Sequence, residues 1–288
     1  MLQRIEAEIR RRSSTDRRMG YVWVIVPILP MLAVIALSSA IVGTVVSSIP
    51  NLQQASSAAP MISQVAALYT LVLIVIFAVL IANDLAFYFL LDRRNRHFKR
   101  QQALFAAIPT YLLALKSQTS SEKIARLLEI SNDSIFEEPD RPAGLWAILA
   151  LLAMPIVGLV VAYDLTQDIQ KHEERQAAYQ QTLSMALEEA GIAHSPITPS
   201  KTHNRDPIFC LVLTAITAGL FWIYWFYTLL KDYNEHFTGQ AVLEDQILAS
   251  LRPVVTCPTC GGLIPQNAKF CPLCGAAQPG GREIKDRP

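Results

Sequence analysis

The chain has 288 residues, 52% of them hydrophobic and only 17% charged, with a formal net charge of +1. An ordinary soluble domain carries about 25% charged residues, so these totals exclude a simple water-soluble architecture. A near-neutral chain also sets up no global field that would steer nucleic acid or an acidic partner.

Residues 1–20 form a basic N-terminus with Arg4, Arg10, Arg11, Arg12, Arg17 and Arg18, and open on an amphipathic stretch with Leu2, Ile5 and Ile9. The first apolar run, about Tyr21 to Ile49, contains no charge. About 20 such residues cross a hydrocarbon core at 1.5 Å rise per residue. Pro27 and Pro30 remove backbone donors there and predict a kink. The run is about twice the length of a signal-peptide core, which argues against cleavage. A second run covers about Ala66 to Leu91, a third Gly144 to Tyr163 and a fourth Ile208 to Leu230. Tyr21, Trp23, Phe87, Tyr88, Phe89, Trp225, Phe226 and Tyr227 sit near run ends, where amphipathic rings favour the interface. None of the runs has the polar face that a soluble bundle helix needs. The predicted fold is therefore an all-α membrane protein of about four transmembrane helices in two hairpin-like halves, 21–91 and 144–230.

Lys and Arg in the flanks set the expected orientation. The 50–65 loop has neither, Arg93, Arg94, Arg96, Lys99 and Arg100 follow the second run, and 164–207 holds four basic against seven acidic residues. This places both termini and a helical segment at 92–143 in the cytoplasm, and a helical loop at 164–207 outside, in a multi-pass protein of the plasma membrane. Within 92–143, Thr119 and Glu122 form a capping-box pattern before Ile124, Leu127, Leu128 and Ile130. In the loop, Leu165, Ile169, His172, Gln176, Tyr179, Leu183, Ala186 and Ala190 form a heptad seam weakened by two polar members. Packing on its own chain is the expected use of this seam, and pairing of two copies the alternative. Residues 87–98 align with 226–237 without a gap at an offset of 139, matching Phe-Tyr, Leu-Leu, Asn and His-Phe. Two parallel hairpin repeats would explain this match.

Beyond the fourth run, 231–253 reads as a cytoplasmic helical stalk ending at Pro253, 254–278 as a metal-bound module, and 279–288 as a disordered tail. Two matching units, Cys257-Pro-Thr-Cys260-Gly and Cys271-Pro-Leu-Cys274-Gly, lie close together, with ten residues between Cys260 and Cys271. Two cysteines two residues apart can bend both sulfurs onto one ion, and the glycine that follows permits the tight turn. So short a piece buries no core of its own, and structural zinc supplies roughly 10–16 kcal/mol of folding energy. Four thiolates leave no open position for catalysis, rubredoxin-type iron uses a longer spacer, and a redox dithiol does not explain two matching knuckles. One structural zinc ion per chain on Cys257, Cys260, Cys271 and Cys274 is expected.

This pattern resembles the short C-P-x-C-G zinc-ribbon domains of many prokaryotic proteins, departing only at Gly262. The aromatic stretch Phe221 to Tyr227 with its polar exit is similar to a family of small prokaryotic multi-pass membrane proteins of uncharacterised function. Neither resemblance implies a substrate.

Asp84 lies in the last third of the second run. An acid at membrane depth suggests a solute or proton pathway, while Asp92, eight residues on and about 12 Å along a helix, marks the interface that an ordinary acid would reach. His97 and His236 read as helix-end contacts at matching repeat positions. His172-Glu173-Glu174 lacks the second histidine of a zinc-protease motif, and His194 and His203 fall in a Pro/Thr/Ser-rich loop. Cys210 reads as a packing residue. No phosphate loop, nucleophile elbow or hydrolytic carboxylate pair is present. With five basic and two acidic residues over 252–288, nucleic acid is not the expected partner. The expected function is non-enzymatic: a membrane component in contact with lipid, whose ribbon docks a cytosolic protein or regulates assembly, including homo-oligomers. The alternative is a small oligomeric channel or transporter with Asp84 in its path.

Overall fold

In a computed structural model, the protein is described over residues 1–26, 28–48, 58–114, 121–190, 192, 202–252, 254–265, 270–271 and 273–277. Pro27, the 50–57 part of the first loop, Thr119, His194, Pro253 and the tail 279–288 lie outside these residues. The helices are α1 (Leu2–Arg10), α2 (Arg12–Thr15), α3 (Leu29–Ser48), α4 (Ala58–Ala114), α5 (Ser121–Glu137), α6 (Ala143–Glu189), α7 (Pro207–Ile216) and α8 (Leu220–Leu251), with a short 3-10 stretch at Tyr21–Ile25. Two short strands, β1 (Val254–Thr256) and β2 (Leu263–Pro265), pair antiparallel. The all-α expectation holds, with this one small ribbon added.

Helix α4 runs 57 residues without a break and changes character along its length. Its first half exposes Ile62, Leu71, Leu73, Ile74 and Phe77, as a lipid-facing surface would. Among the described residues it is the one helix long and apolar enough to cross a membrane. Past Leu91 it instead buries Arg93, Arg94, His97, Arg100 and Gln101 against the rest of the chain.

The third and fourth apolar runs do not form the single spans expected of them. Helix α6 is interrupted at Ala153, whose backbone leaves the helical region (φ −141°, ψ 47°). Arg141, just before this helix, grips Asp168 through two hydrogen bonds of 2.6 and 2.8 Å and also reaches Asp164. A straight helix would carry those residues about 38 Å away at 1.5 Å per residue. The chain must therefore run out over 143–152 and fold back. The fourth run does the same. Asp206 caps α7 by accepting from the Ile208 amide at 2.8 Å, with Pro207 at the first turn. The chain then reverses at Ala218 (φ 49°) and Gly219 (φ 92°), and Arg205 meets Asp232 at 3.0 Å where the return arm ends. Each outgoing arm is about 15 Å long, half a hydrocarbon core, which is the length of a re-entrant segment and not of a span.

This doubling back corrects the predicted second transmembrane hairpin at 144–230 and its external loop at 164–207. The two arms of each run start and finish at one level, so everything beyond them lies at the same end of α4. The core confirms it: Ile5 and Ile9, Leu104, Ile108 and Leu112, Ile124, Leu127 and Ile130, Tyr179, Leu183 and Leu187, and Leu243, Ile247 and Leu251 form one buried cluster. The seam 165–186 faces inward against its own chain and is buried at Leu165, Ile169, Tyr179, Leu183 and Ala186. Phe105 stacks on Tyr179 with ring centroids 4.0 Å apart, and the Tyr179 hydroxyl donates to the Phe105 carbonyl. Segments 92–143 and 164–190 thus share one body and cannot be on opposite sides. The Lys/Arg asymmetry misled because Arg93, Arg94 and Arg100 are buried in that body, where Arg94 meets Asp168 at 3.0 Å and Arg100 meets Asp16 at 2.7 Å. Arg94 and Arg100 answer carboxylates of their own chain, and Arg93 donates to the Asn234 side-chain oxygen at 2.9 Å.

Candidate metal centres

Among the described residues, two groups of side chains converge closely enough to hold a metal ion: Cys257, Cys260, Cys271 and Cys274, and His97, His172 and His236. The first was expected. Cys257 follows β1 and Cys260 lies in the turn leading towards β2, while Cys271 and Cys274 lie between the bridged residues Phe270 and Ala277. Both turns have one geometry. The Gly261 amide donates to the Cys257 carbonyl at 2.9 Å and the Gly275 amide to the Cys271 carbonyl at 2.8 Å. Gly261 (φ 72°) and Gly275 (φ 73°) take the left-handed conformation that closes each turn. The sulfurs stand 3.8 Å apart in the Cys257–Cys274 pair and 3.7 Å apart in the Cys260–Cys271 pair. A disulfide needs about 2.05 Å. Four sulfurs each about 2.3 Å from a tetrahedral ion stand about 3.8 Å apart. The four cysteines could therefore bind a metal ion such as zinc.

The second group was not expected. His97 and His236 were read as helix-end contacts, but both lie mid-helix and are buried, as is His172. One ring comes from α4, one from α6 and one from α8. Their centroids form a nearly equilateral triangle of 5.3 Å (97–172), 5.1 Å (97–236) and 5.2 Å (172–236), each pair edge to face. Each ring turns its Nδ1 outward to a carboxylate. His172 Nδ1 lies 2.7 Å from Glu138 Oε1 and His236 Nδ1 lies 3.0 Å from Glu173 Oε1. His97 Nδ1 lies 3.0 Å from Asp16 Oδ1, but out of line for a straight hydrogen bond. The other edges turn inward, bringing His97 Nε2 to 3.2 Å from His236 Nε2. His172 Nε2 faces the Gln176 amide at 3.0 Å.

The carboxylates are fixed in turn. Arg175 donates to Glu138, Arg100 and the Thr15 hydroxyl donate to Asp16, and the Thr202 amide and hydroxyl donate to Glu173. Phe98 stacks on His172 at 4.1 Å with Arg94 on its other face, fixing that ring. Burial pushes His97 down to about 3 against the opposing pull of Asp16, and burial also lowers His172 against Glu138. Both are neutral imidazoles near pH 7.

Signals for this group were present in the sequence. His97 and His236 sit at one offset, 139, and His172 and Gln176 are the two polar members of an otherwise apolar seam. Residues that weaken a seam and still face inward have a partner there. Phe87 and Phe226 share the offset and also touch, edge to face, at 6.0 Å.

Asp84 stands apart from both groups. It is buried on α4, and its Oδ1 has no hydrogen-bond partner among the described residues. Cys210 is buried on α7 as a packing residue. No protein-family model matches this chain, and neither a curated protein nor a solved structure matches it.

Proposed function

We propose that this chain is a non-enzymatic, multi-pass component of the plasma membrane whose C-terminal module, a short zinc ribbon, docks a cytosolic protein. α3 and α4 form the transmembrane hairpin in this reading, and the two folded-back runs sit in one leaflet with the helical body beneath them. Both termini, the body and the ribbon lie in the cytoplasm, where thiolates stay reduced. One zinc ion on Cys257, Cys260, Cys271 and Cys274 supplies the ribbon's folding energy.

The observation that carries the docking role is the placement of apolar side chains on the metal-binding turns. Leu273, between Cys271 and Cys274, is 69% exposed, and Phe270, just before Cys271, is 66% exposed. Large apolar groups held rigidly in water mark an interaction surface. The test is co-purification from native membranes. Partners should be captured by the full chain, lost on deleting 254–288, and lost with Leu273→Ser and Phe270→Ser while zinc stays bound. Capture that survives the double substitution would remove the ribbon from the interaction.

A second reading, a small oligomeric channel or transporter, is favoured by the unpartnered buried Oδ1 of Asp84. Solute or proton flux in liposomes, with and without Asp84→Asn, separates it from the first.

A further inference from the structure

We infer that His97, His172 and His236 form a second metal site, taking one divalent transition-metal ion on three imidazoles and tying α4, α6 and α8 together. The inference does not rest on the ribbon, whose residues are elsewhere in sequence and chemistry.

The distances fit. Nitrogens each 2.0–2.1 Å from a tetrahedral ion stand about 3.3–3.4 Å apart, and His97 Nε2 and His236 Nε2 are already at 3.2 Å. One nitrogen from each ring lies within 4.8 Å of the others, so a small turn of one ring completes the set.

Hydrogen bonding points the same way. The His172 and His236 protons belong on Nδ1, where Glu138 and Glu173 accept them, and the Gln176 amide donates to the bare Nε2 of His172. His236 then also presents a bare Nε2 to the centre. For His97 no neutral form satisfies both edges. A proton on Nε2 serves His236 but leaves its Nδ1 lone pair against the Asp16 carboxylate at 3.0 Å. A proton on Nδ1 answers Asp16 but sets two lone pairs against each other at 3.2 Å. A cation between the rings resolves both conflicts.

The surroundings are those of a metal site. A ligating histidine is normally oriented by a carboxylate or carbonyl on its other nitrogen, and here all three have a carboxylate. The shell is acidic in balance: the side chains of Asp16, Glu138, Glu173 and Glu244 are at most 7% exposed, against Arg100, which Asp16 and Glu244 share, and Arg175, which Glu138 shares with exposed Glu137. Buried Arg93 lies nearby and is engaged by Asn234 and the rings of Tyr233 and Phe237. Glu173 has no guanidinium partner in this shell, and its ligands besides His236 are the Thr202 amide and hydroxyl. Three imidazoles without a thiolate suit zinc, cobalt, iron, nickel or copper in the divalent state, and not magnesium or calcium. All three rings are at most 1% exposed, so the ion serves as an internal clamp where the apolar helices enter the soluble body.

The test uses cobalt(II) with the detergent-solubilised full chain. The wild type should take two ions per chain, one with thiolate-to-cobalt charge transfer and one showing only the d–d bands of a nitrogen-ligated site. With all four ribbon cysteines changed to serine, one ion per chain should remain, without the charge-transfer band. His236→Gln in that background should abolish it. Glu173→Gln, which keeps every ligand, should weaken cobalt binding 10–100-fold with circular dichroism and elution volume unchanged. Binding of a single ion by the wild type, retention of the second ion in the His236→Gln chain, or unaltered affinity in Glu173→Gln would each overturn the inference. Should His236→Gln fail to fold, the wild-type stoichiometry and Glu173→Gln still decide it.

Discussion

Arg141 and Asp168 are separated by 27 residues and joined side by side by two hydrogen bonds of 2.6 and 2.8 Å. That pair turns an apparent span into a loop that leaves and returns at one level. Asn132 and Gln181 are both exposed on the helical body. In a background without the native cysteines, Asn132→Cys and Gln181→Cys should react with an impermeant maleimide from the same side of the membrane, and neither in intact cells. Labelling of Gln181→Cys alone in intact cells would restore the external loop and break the shared core.

The reversal between α7 and α8 turns on the backbone at Ala218 and Gly219, where the Gly219 amide donates to the Thr214 carbonyl at 2.8 Å and the Phe221 amide to the Thr217 hydroxyl at 2.9 Å. A Cβ on Gly219 would meet nothing within 4 Å, yet its φ of 92° disfavours any L side chain. Gly219→Ala should therefore lower stability by about 1–2 kcal/mol, read as a drop in melting temperature in detergent. Ala218, which already sits at φ 49°, should give the opposite sign. Ala218→Gly is expected to be neutral or stabilising by less than about 1 kcal/mol.

Arg100 lies 2.7 Å from Asp16 and 2.8 Å from Glu244, and all three side chains are at most 7% exposed. Arg100→Met leaves two carboxylates without their cation, and breaking a buried pair in this way costs about 3–5 kcal/mol. Burial raises Glu244 above its ordinary value even with Arg100 present. A carboxyl that binds its proton more tightly in the folded chain than in the unfolded one favours folding as pH falls. The deficit of Arg100→Met should thus shrink between pH 8 and pH 6 in thermal melts. A deficit that grows on acidification would show that Glu244 is not the group left exposed to the penalty.

For the ribbon, replacing Cys257 and Cys260 with serine should remove one zinc equivalent per chain by elemental analysis and leave the melting of the helical body within about 1 °C. The basis is that metal ligation rather than packing supplies its folding energy. Loss of the whole helical signal would make the ribbon part of the body's core.

Asp84→Asn keeps the size of the side chain and removes its charge. If the carboxylate serves a path, reconstituted flux should fall at least tenfold with expression and melting unchanged. If it does not, the neutral amide should raise stability, because the buried Oδ1 has no hydrogen-bond partner among the described residues.

The sequence by itself determined the features that are local in the chain. Apolar runs marked where apolar helices with exposed hydrophobic faces begin, because composition over ten or more residues decides whether water or hydrocarbon is the better solvent. The two C-x-x-C-G turns marked four cysteines that could bind a metal ion, because each pair lies within a single turn whose geometry neighbouring residues dictate. Tertiary structure alone decided whether an apolar run crosses or returns, since a run of about 20 residues has the same composition straight or folded at Ala153 or Gly219. The choice depends on whether Arg141 finds Asp168 and Arg205 finds Asp232. Tertiary structure alone likewise made a site of His97, His172 and His236. Each is an unremarkable polar residue on its own helix, and their shared chemistry arises only when three helices distant in sequence pack with those faces inward.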